Sequence, residues 1–183
     1  IMNPEDSLTY WAKMQQGLQG AWQYTIPFTP EPHEGAFVGV FYVWLGQAAR
    51  LLGVSLTAVW HGSRILSAIL LYVMIFGFTA VFHSDRLTRW TAYLLAVFGS
   101  GMGWLLFLSG QIYWLGHFPI DFKQAEAHTF FTTLTFPHTT LGTALILFDM
   151  LVLHLIGRWI LVQRGDAETP REELSASPRL RVK

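Results

Sequence analysis

Long runs of apolar residues dominate the chain after residue 34. Three of them, residues 57–82, 90–116 and 138–163, exceed the roughly twenty residues that a helix needs to cross the hydrocarbon core of a bilayer. An α-helix satisfies its backbone hydrogen bonds within one segment, as a lipid environment requires. We therefore expect an all-α integral membrane protein with three transmembrane helices.

A fourth apolar run, residues 35–53, is shorter and supports two interpretations. It holds about seventeen residues between Ala36 and Leu52, which is at the lower limit for a span. It also includes the polar residues Gln47 and Arg50. It is either a short transmembrane helix or a helix that lies in the membrane interface with its aromatic side chains in lipid.

The distribution of arginines predicts how the spans are oriented. Arg86 and Arg89 follow the first span, and four further arginines lie in the tail, residues 164–183. The positive-inside rule places both segments in the cytoplasm and the loop of residues 117–137 outside a plasma membrane or prokaryotic inner membrane. If residues 35–53 span, the N-terminal segment is cytoplasmic. If they lie flat, it shares the outer side with the loop, and we favour this placement because it gathers two acidic, aromatic segments.

The N-terminal segment, residues 1–34, combines a short helix with a loop. Apolar residues at helical spacing predict a helix over residues 7–18, with Asp6 or Ser7 as its N-cap. Three prolines then exclude regular structure from residues 25–34. The C-terminal tail is charged and poor in large apolar residues, so we expect it to be flexible.

Composition agrees with a membrane protein and excludes several functions. Charged residues make up 13% of the chain and hydrophobic residues 52%, whereas soluble domains carry roughly 25% charged residues. The net charge is zero, and no basic face indicates nucleic acid as a partner. The chain has no cysteine, which excludes disulfides, thiolate metal sites and a cysteine nucleophile.

Acidic residues on the predicted outer side are the first candidates for chemistry. Asp6 is either a simple N-cap or a general base and metal ligand. Asp121 and Glu126 lie in the outer loop, where they are either ordinary solvated carboxylates or partners of Asp6 that bind a divalent cation or a substrate.

Basic and imidazole groups form a second set of candidates. Arg64 lies near the outer end of the first span, where it either snorkels to the interface or binds a phosphate through its guanidinium fork. Asp149 and His154 lie near the middle of the last span, where ionisable residues indicate function. His154 is either a packed histidine or an axial ligand of a haem or chlorophyll-type pigment. Four histidines fall on the outer side or at its membrane borders and suggest a polar cavity: His33, His117, His128 and His138.

The order of these features resembles the C-type (GT-C) polytopic glycosyltransferases over about residues 3–80. The residues that carry the resemblance are Asp6, Tyr10, Ala12 and Met14 in the first helix, the motif of residues 31–35 before an interfacial helix, and Arg64 in the next helix. The resemblance implies transfer of a sugar from a polyprenyl-phosphate donor on the outer face. Asp6 would then be the catalytic carboxylate or a metal ligand, with Tyr10, His33, Glu34 and Arg64 in substrate-binding positions.

Two hypotheses of different classes follow from the sequence. The first is a glycosyltransferase-like protein, the N-terminal part of such an enzyme and too short to be active alone, with the bilayer and a lipid-linked sugar as partners. The second is a non-catalytic subunit of a respiratory or photosynthetic membrane complex, in contact with other subunits and with haem or pigment through His154. The first hypothesis requires Asp6 and Glu126 to face one aqueous compartment.

Overall fold

The computed structural model describes residues 4–99, 103–111, 113, 116–119, 124 and 127–175, and leaves out the side chains of residues 4–6, 104, 107 and 164–175. The prediction of an all-α protein is confirmed for these residues, whose regular elements are helices; Tyr24 and Ala36 also form an isolated antiparallel bridge. In chain order the helices are α1 (Pro4–Leu18), α2 (Val40–Leu52), α3 (Leu56–Phe82), α4 (Arg86–Phe98), α5 (Gly103–Leu108), α6 (Thr129–Thr135) and α7 (Pro137–Ser175).

Two helices have the length and composition of membrane spans. They are α3 over its whole length and the first 27 residues of α7, Pro137–Gln163. Within their most apolar windows, 22% of the α3 residues and 0% of the α7 residues are buried in the protein. The core helix of a soluble protein would be mostly buried, so this exposure agrees with a lipid environment. Helix α7 also continues to Ser175, into the segment predicted as a flexible tail.

The predicted third span, residues 90–116, is not a single helix. Helix α4 ends at Phe98, and α5 begins at Gly103 and has only six residues. Gly99 leaves the helical conformation, with φ −71° and ψ 58°. Glycine is the residue that weakens a helix interior most apart from proline, because it loses the most backbone entropy on folding. Three spanning helices are therefore not confirmed.

Contacts between the long helices show that α3 and α7 run in the same direction. Leu71 and Ile75 of α3 share a core cluster with Ala144 of α7. Further along both helices, Gly77 lies next to Leu151. Both helices therefore begin at one end of the protein, and the chain between them must return to that end.

Helices α4 and α6 follow this return path along α3. The Phe76 ring contacts Trp90 and Tyr93 at the start of α4, whereas Val97 at its end packs with Leu71 and Ile75. Helix α4 is therefore antiparallel to α3. Helix α6 continues in the same direction, since Thr133 contacts Tyr72 and the Leu134 carbonyl contacts Arg64.

Helices α1 and α2 form a closely packed pair. Gly17 of α1 lies against the Val43 carbonyl, and Gly46 of α2 lies against the Met14 carbonyl, so that a side chain on either glycine would overlap backbone. Met14 and Val43 are fully buried in this contact. Helix α2 is bounded by Gly39 (φ 62°) and Gly53 (φ 67°), left-handed conformations that glycine adopts without strain.

Candidate functional site

An aromatic stack joins the N-terminal helices to the start of α3. The Tyr10 ring of α1 stacks on the Tyr42 ring of α2 with centroids 4.2 Å apart, and Tyr42 stacks on Trp60 of α3 at 5.4 Å. Trp11 tilts against Trp60 at 6.5 Å. Helical spacing places Tyr10 and Trp11 on adjacent sides of α1. Two rings of α1 therefore contact the neighbouring helices. Such ring pairs contribute about 0.5–1.5 kcal/mol each beyond the area they bury.

The same stack reaches α7 through a hydrogen bond. The Tyr42 hydroxyl lies 2.7 Å from His138 Nδ1, and Tyr42 is 1% exposed. Burial raises the pKa of the Tyr42 phenol far above its ordinary value, and the neighbouring Tyr10 raises it further, while the backbone of His138 opposes this change. The phenol therefore stays protonated. Phe136 completes the cluster, with its ring 5.2 Å from Tyr10.

We name this group the ring cluster: Tyr10, Tyr42, Trp60, Phe136 and His138. It lies where α3 and α7 begin, because Trp60 is in the second turn of α3 and His138 is in the first turn of α7. Of the outer histidines named from the sequence, it includes His138. Asp6, the predicted catalytic residue, lies four residues before Tyr10 in α1, and only its backbone is described.

Lys13 is a cation at this site that the sequence analysis did not identify. Its Nζ lies 5.5 Å from the centroid of the Tyr10 ring and 5.0 Å from that of the Tyr24 ring. A lysine three residues after a tyrosine in a predicted helix is neighbour to that ring, which is the signal that the sequence carried. The cation–π contacts hold the ammonium group beside the ring cluster.

His33 has a structural role in the loop between α1 and α2. The Ile26 amide donates to His33 Nε2 at 2.9 Å, so Nε2 carries no proton and Nδ1 donates to the Glu31 carbonyl at 2.9 Å. The same loop is closed by the Tyr24–Ala36 bridge. Both ring nitrogens are therefore engaged by the backbone of the loop. Glu34, the next residue, is exposed.

Arg64 binds the end of a helix. Its Nη1 donates to the Leu134 carbonyl at 3.1 Å, in the last turn of α6. A cation is stabilising there because helix C-termini carry partial negative charge and unpaired carbonyls. Arg64 lies one turn after Trp60, so its guanidinium group is at the same end of α3 as the ring cluster.

The described part of the chain provides little evidence on the predicted cation site and the predicted pigment site. Asp121 and Glu126 lie outside the described residues, so their position relative to Asp6 stays a prediction. Among the side chains that are described, no group of three His, Asp or Glu residues comes together as a metal site. His154 is exposed on α7, on the surface of the chain. His117 is exposed, and His128 immediately precedes α6.

Comparisons of this chain with protein-family models, curated proteins and solved structures found no match.

Proposed function

We propose that this chain forms the N-terminal, outer-face part of a membrane glycosyltransferase that takes sugar from a polyprenyl-phosphate donor. The observation that carries the proposal is the position of α1. The ring cluster fixes this helix, which contains Asp6, at the end of the protein where α3 and α7 both begin. Asp6, the predicted catalytic residue, is in a helix at one end of the spans, where a lipid headgroup lies.

The direction of the long helices supports three crossings of the membrane. If α3 and α7 both span in the same direction, the intervening chain must cross once in the opposite direction. Helices α4 and α6 lie on that path and contribute thirteen and seven residues, together about 30 Å of helix at 1.5 Å per residue, close to the hydrocarbon thickness. We infer that α4 and α6 form one interrupted crossing of the membrane.

Loop charge supports the outer face for the ring cluster. Arg86 and Arg89 begin α4 at the opposite end of α3, and Arg158 lies near the opposite end of α7. The positive-inside rule assigns that end to the cytoplasm. The ring cluster, at the N-terminal ends of α3 and α7, then faces outward together with α1.

The chemistry requires a base and cations at this end. An acceptor hydroxyl would attack the anomeric carbon and form the new glycosidic bond. The bond from that carbon to the phosphate oxygen breaks, and polyprenyl phosphate leaves with the electron pair. Asp6 would take the proton of the hydroxyl. Lys13 and Arg64 supply positive charge for the phosphate at the same end, and a divalent cation would add to it.

Replacement of Asp6 by Asn tests the proposal, and Glu5→Asn is the matched control. Both substitutions remove a carboxylate from the first turn of α1, but only Asp6 has a predicted catalytic role. We expect Asp6→Asn to abolish sugar transfer from a polyprenyl-phosphate donor in membranes that contain the whole protein, while Glu5→Asn retains it. Equal transfer by both variants would refute the assignment of Asp6.

A second candidate function is favoured by the position of His154. Its side chain is exposed on the spanning part of α7, which is accessible to a haem or chlorophyll-type pigment held between this chain and other subunits. The chain would then be a non-catalytic subunit of a respiratory or photosynthetic complex. The absorbance spectrum of the purified complex tests this function. A ligand role predicts that His154→Ala shifts or removes a pigment band, and an unchanged spectrum excludes it.

A further inference from the structure

Asp149 occupies an unusual position on α7. It lies one residue from the centre of the 27-residue apolar segment Pro137–Gln163, and its side chain is exposed. No hydrogen bond or ion pair joins Asp149 to another of the described residues. An ionisable side chain at the centre of a bilayer is costly unless it faces a partner or a water-filled cavity.

The packing of α7 on α3 uses the side of the helix away from Asp149. Ala144, Leu147 and Leu151 face α3 or its core cluster. At 100° per residue they lie roughly 140–160° around the helix axis from Asp149. The Asp149 side therefore points away from the rest of the described protein.

This outward side has the composition of a helix-packing surface. Leu145, Leu153 and Ile156 lie within about 40° of Asp149 by helical geometry, and they are 48%, 68% and 48% exposed. Gly142, about 20° away, has open space where a side chain would be. Small residues let two membrane helices approach closely, and a polar residue between them can form a hydrogen bond. We name this surface the Asp149 face.

The carboxyl group of Asp149 limits which helix can pack on the Asp149 face. The part of α3 from Ile65 to its end contains no charged residue, and α4 carries its arginines at its cytoplasmic start. A second copy of the chain arranged in parallel would bring another carboxylate to the same depth. A carboxylate in a low-dielectric environment is stabilised by a cation or by several hydrogen-bond donors.

We propose that the Asp149 face binds a transmembrane helix from outside these 183 residues that carries an arginine or lysine near mid-bilayer depth. Asp149 pairs with that cation, and Leu145, Leu153 and Ile156 pack around the pair. This proposal concerns the surface of α7 and is independent of the transferase activity assigned to α1.

A model helix tests this surface directly. The full chain, labelled at an introduced Gln163→Cys in its otherwise cysteine-free sequence, is reconstituted in phosphatidylcholine vesicles. The probe is a Leu/Ala peptide of about twenty residues, long enough to span, with one central arginine and an acceptor dye. A second peptide has leucine in place of the arginine. Energy transfer measures association with each.

We expect the arginine peptide to bind more tightly than the leucine peptide, and Asp149→Leu to remove the difference. The expected loss is about three- to twentyfold in association constant, the range that interhelical polar contacts in membranes give. Leu155→Ala is the matched control, because Leu155 is 61% exposed and lies about 120° from Asp149; it should leave binding unchanged. Equal binding of both peptides would overturn the proposal, as would self-association of the chain that depends on Asp149 and outcompetes the arginine peptide.

Discussion

The contact between α1 and α2 gives the most exact prediction, because both helices meet there through backbone. A Cβ added at Gly46 would overlap the Met14 carbonyl and lie 2.8 Å from the Leu18 nitrogen and 2.9 Å from the Gly17 Cα. All of these atoms are backbone, so no side-chain rotation relieves the overlap. The two helices would have to separate, and Met14, fully buried between them, would lose contacts.

The magnitude follows from two opposing terms. Alanine in place of glycine in a helix interior is worth about 1 kcal/mol in stability. Overpacking of a closely packed contact costs about 1–3 kcal/mol, and more where backbone must move. Since the overlap at Gly46 is with backbone on the facing helix, we expect Gly46→Ala to lower the free energy of unfolding by about 2 kcal/mol net.

Gly62 provides the matched control. It lies inside α3, and a Cβ added there meets nothing within 4 Å. Gly62→Ala should therefore leave stability unchanged or raise it by up to about 1 kcal/mol. The two variants are compared by unfolding in mixed micelles with increasing dodecyl sulfate, followed by tryptophan fluorescence, since Trp11 of α1 lies 6.5 Å from Trp60 of α3 and reports on displacement of α1. If Gly46→Ala is as stable as Gly62→Ala, the close α1–α2 contact is wrong.

Two further predictions concern single hydrogen bonds. Tyr42→Phe removes the hydrogen bond to His138 and should cost about 0.5–1.5 kcal/mol, the net contribution of a typical intramolecular hydrogen bond. Tyr113→Phe, at a residue that is 61% exposed, should cost nothing in the same unfolding measurement. Asp85 accepts from the Thr88 amide at 2.8 Å, and this hydrogen bond lowers the pKa of its carboxyl below the ordinary 3.8. The ionised carboxylate therefore stabilises α4 at pH values above 3.8, and this stabilisation is lost as the pH falls through the lowered pKa. Protection of the Thr88 amide from hydrogen exchange should decrease over the same fall in pH. Asp85→Ala should lack this pH dependence.

The two continuous spans were predictable because hydropathy and length determine them. The sequence predicted 57–82 and 138–163, and the structure has α3 from Leu56 to Phe82 and the apolar part of α7 from Pro137 to Gln163. The interruption after Phe98 was not predictable from hydropathy, since residues 99–103 carry no charge and the apolar residues on both sides keep the average high. What ends the helix is the backbone entropy of glycine, which a hydropathy average does not include.

Helix α6 shows a second limit of pattern reasoning. The sequence analysis placed residues 117–137 in an outer loop between two predicted spans. In the structure Thr132, Thr133 and Thr135 are buried. The Thr133 and Thr135 hydroxyls donate to carbonyls of the preceding turn, Thr133 to that of Phe130. A hydroxyl satisfied in this way can be buried at little cost, so residue type alone did not decide the burial.

The ring cluster was predictable only in part. Tyr10 was named because it follows Asp6 at a spacing that resembles a family motif, and its position beside Tyr42 shows that it is a packed ring. The contact between Tyr42 and His138 joins residues 96 positions apart, and no local pattern indicates such a pair. Lys13 was overlooked because an isolated lysine in a polar segment is ordinary.

The length of α2 bears on the placement on which the transferase hypothesis depends. Its thirteen residues extend about 20 Å, roughly 10 Å less than the hydrocarbon core. A crossing would therefore require the bilayer to thin, at fractions of a kcal/mol per Å of mismatch, and Arg50 in the last turn would have to reach a headgroup. In a flat helix, Trp44, Leu51 and Leu52, which are 52%, 79% and 71% exposed, can enter the lipid while Arg50 stays at the polar boundary beside Gly20. The flat placement avoids both costs, so we favour it for α2, and under the proposed orientation it would leave α1 and Asp6 on the outer side.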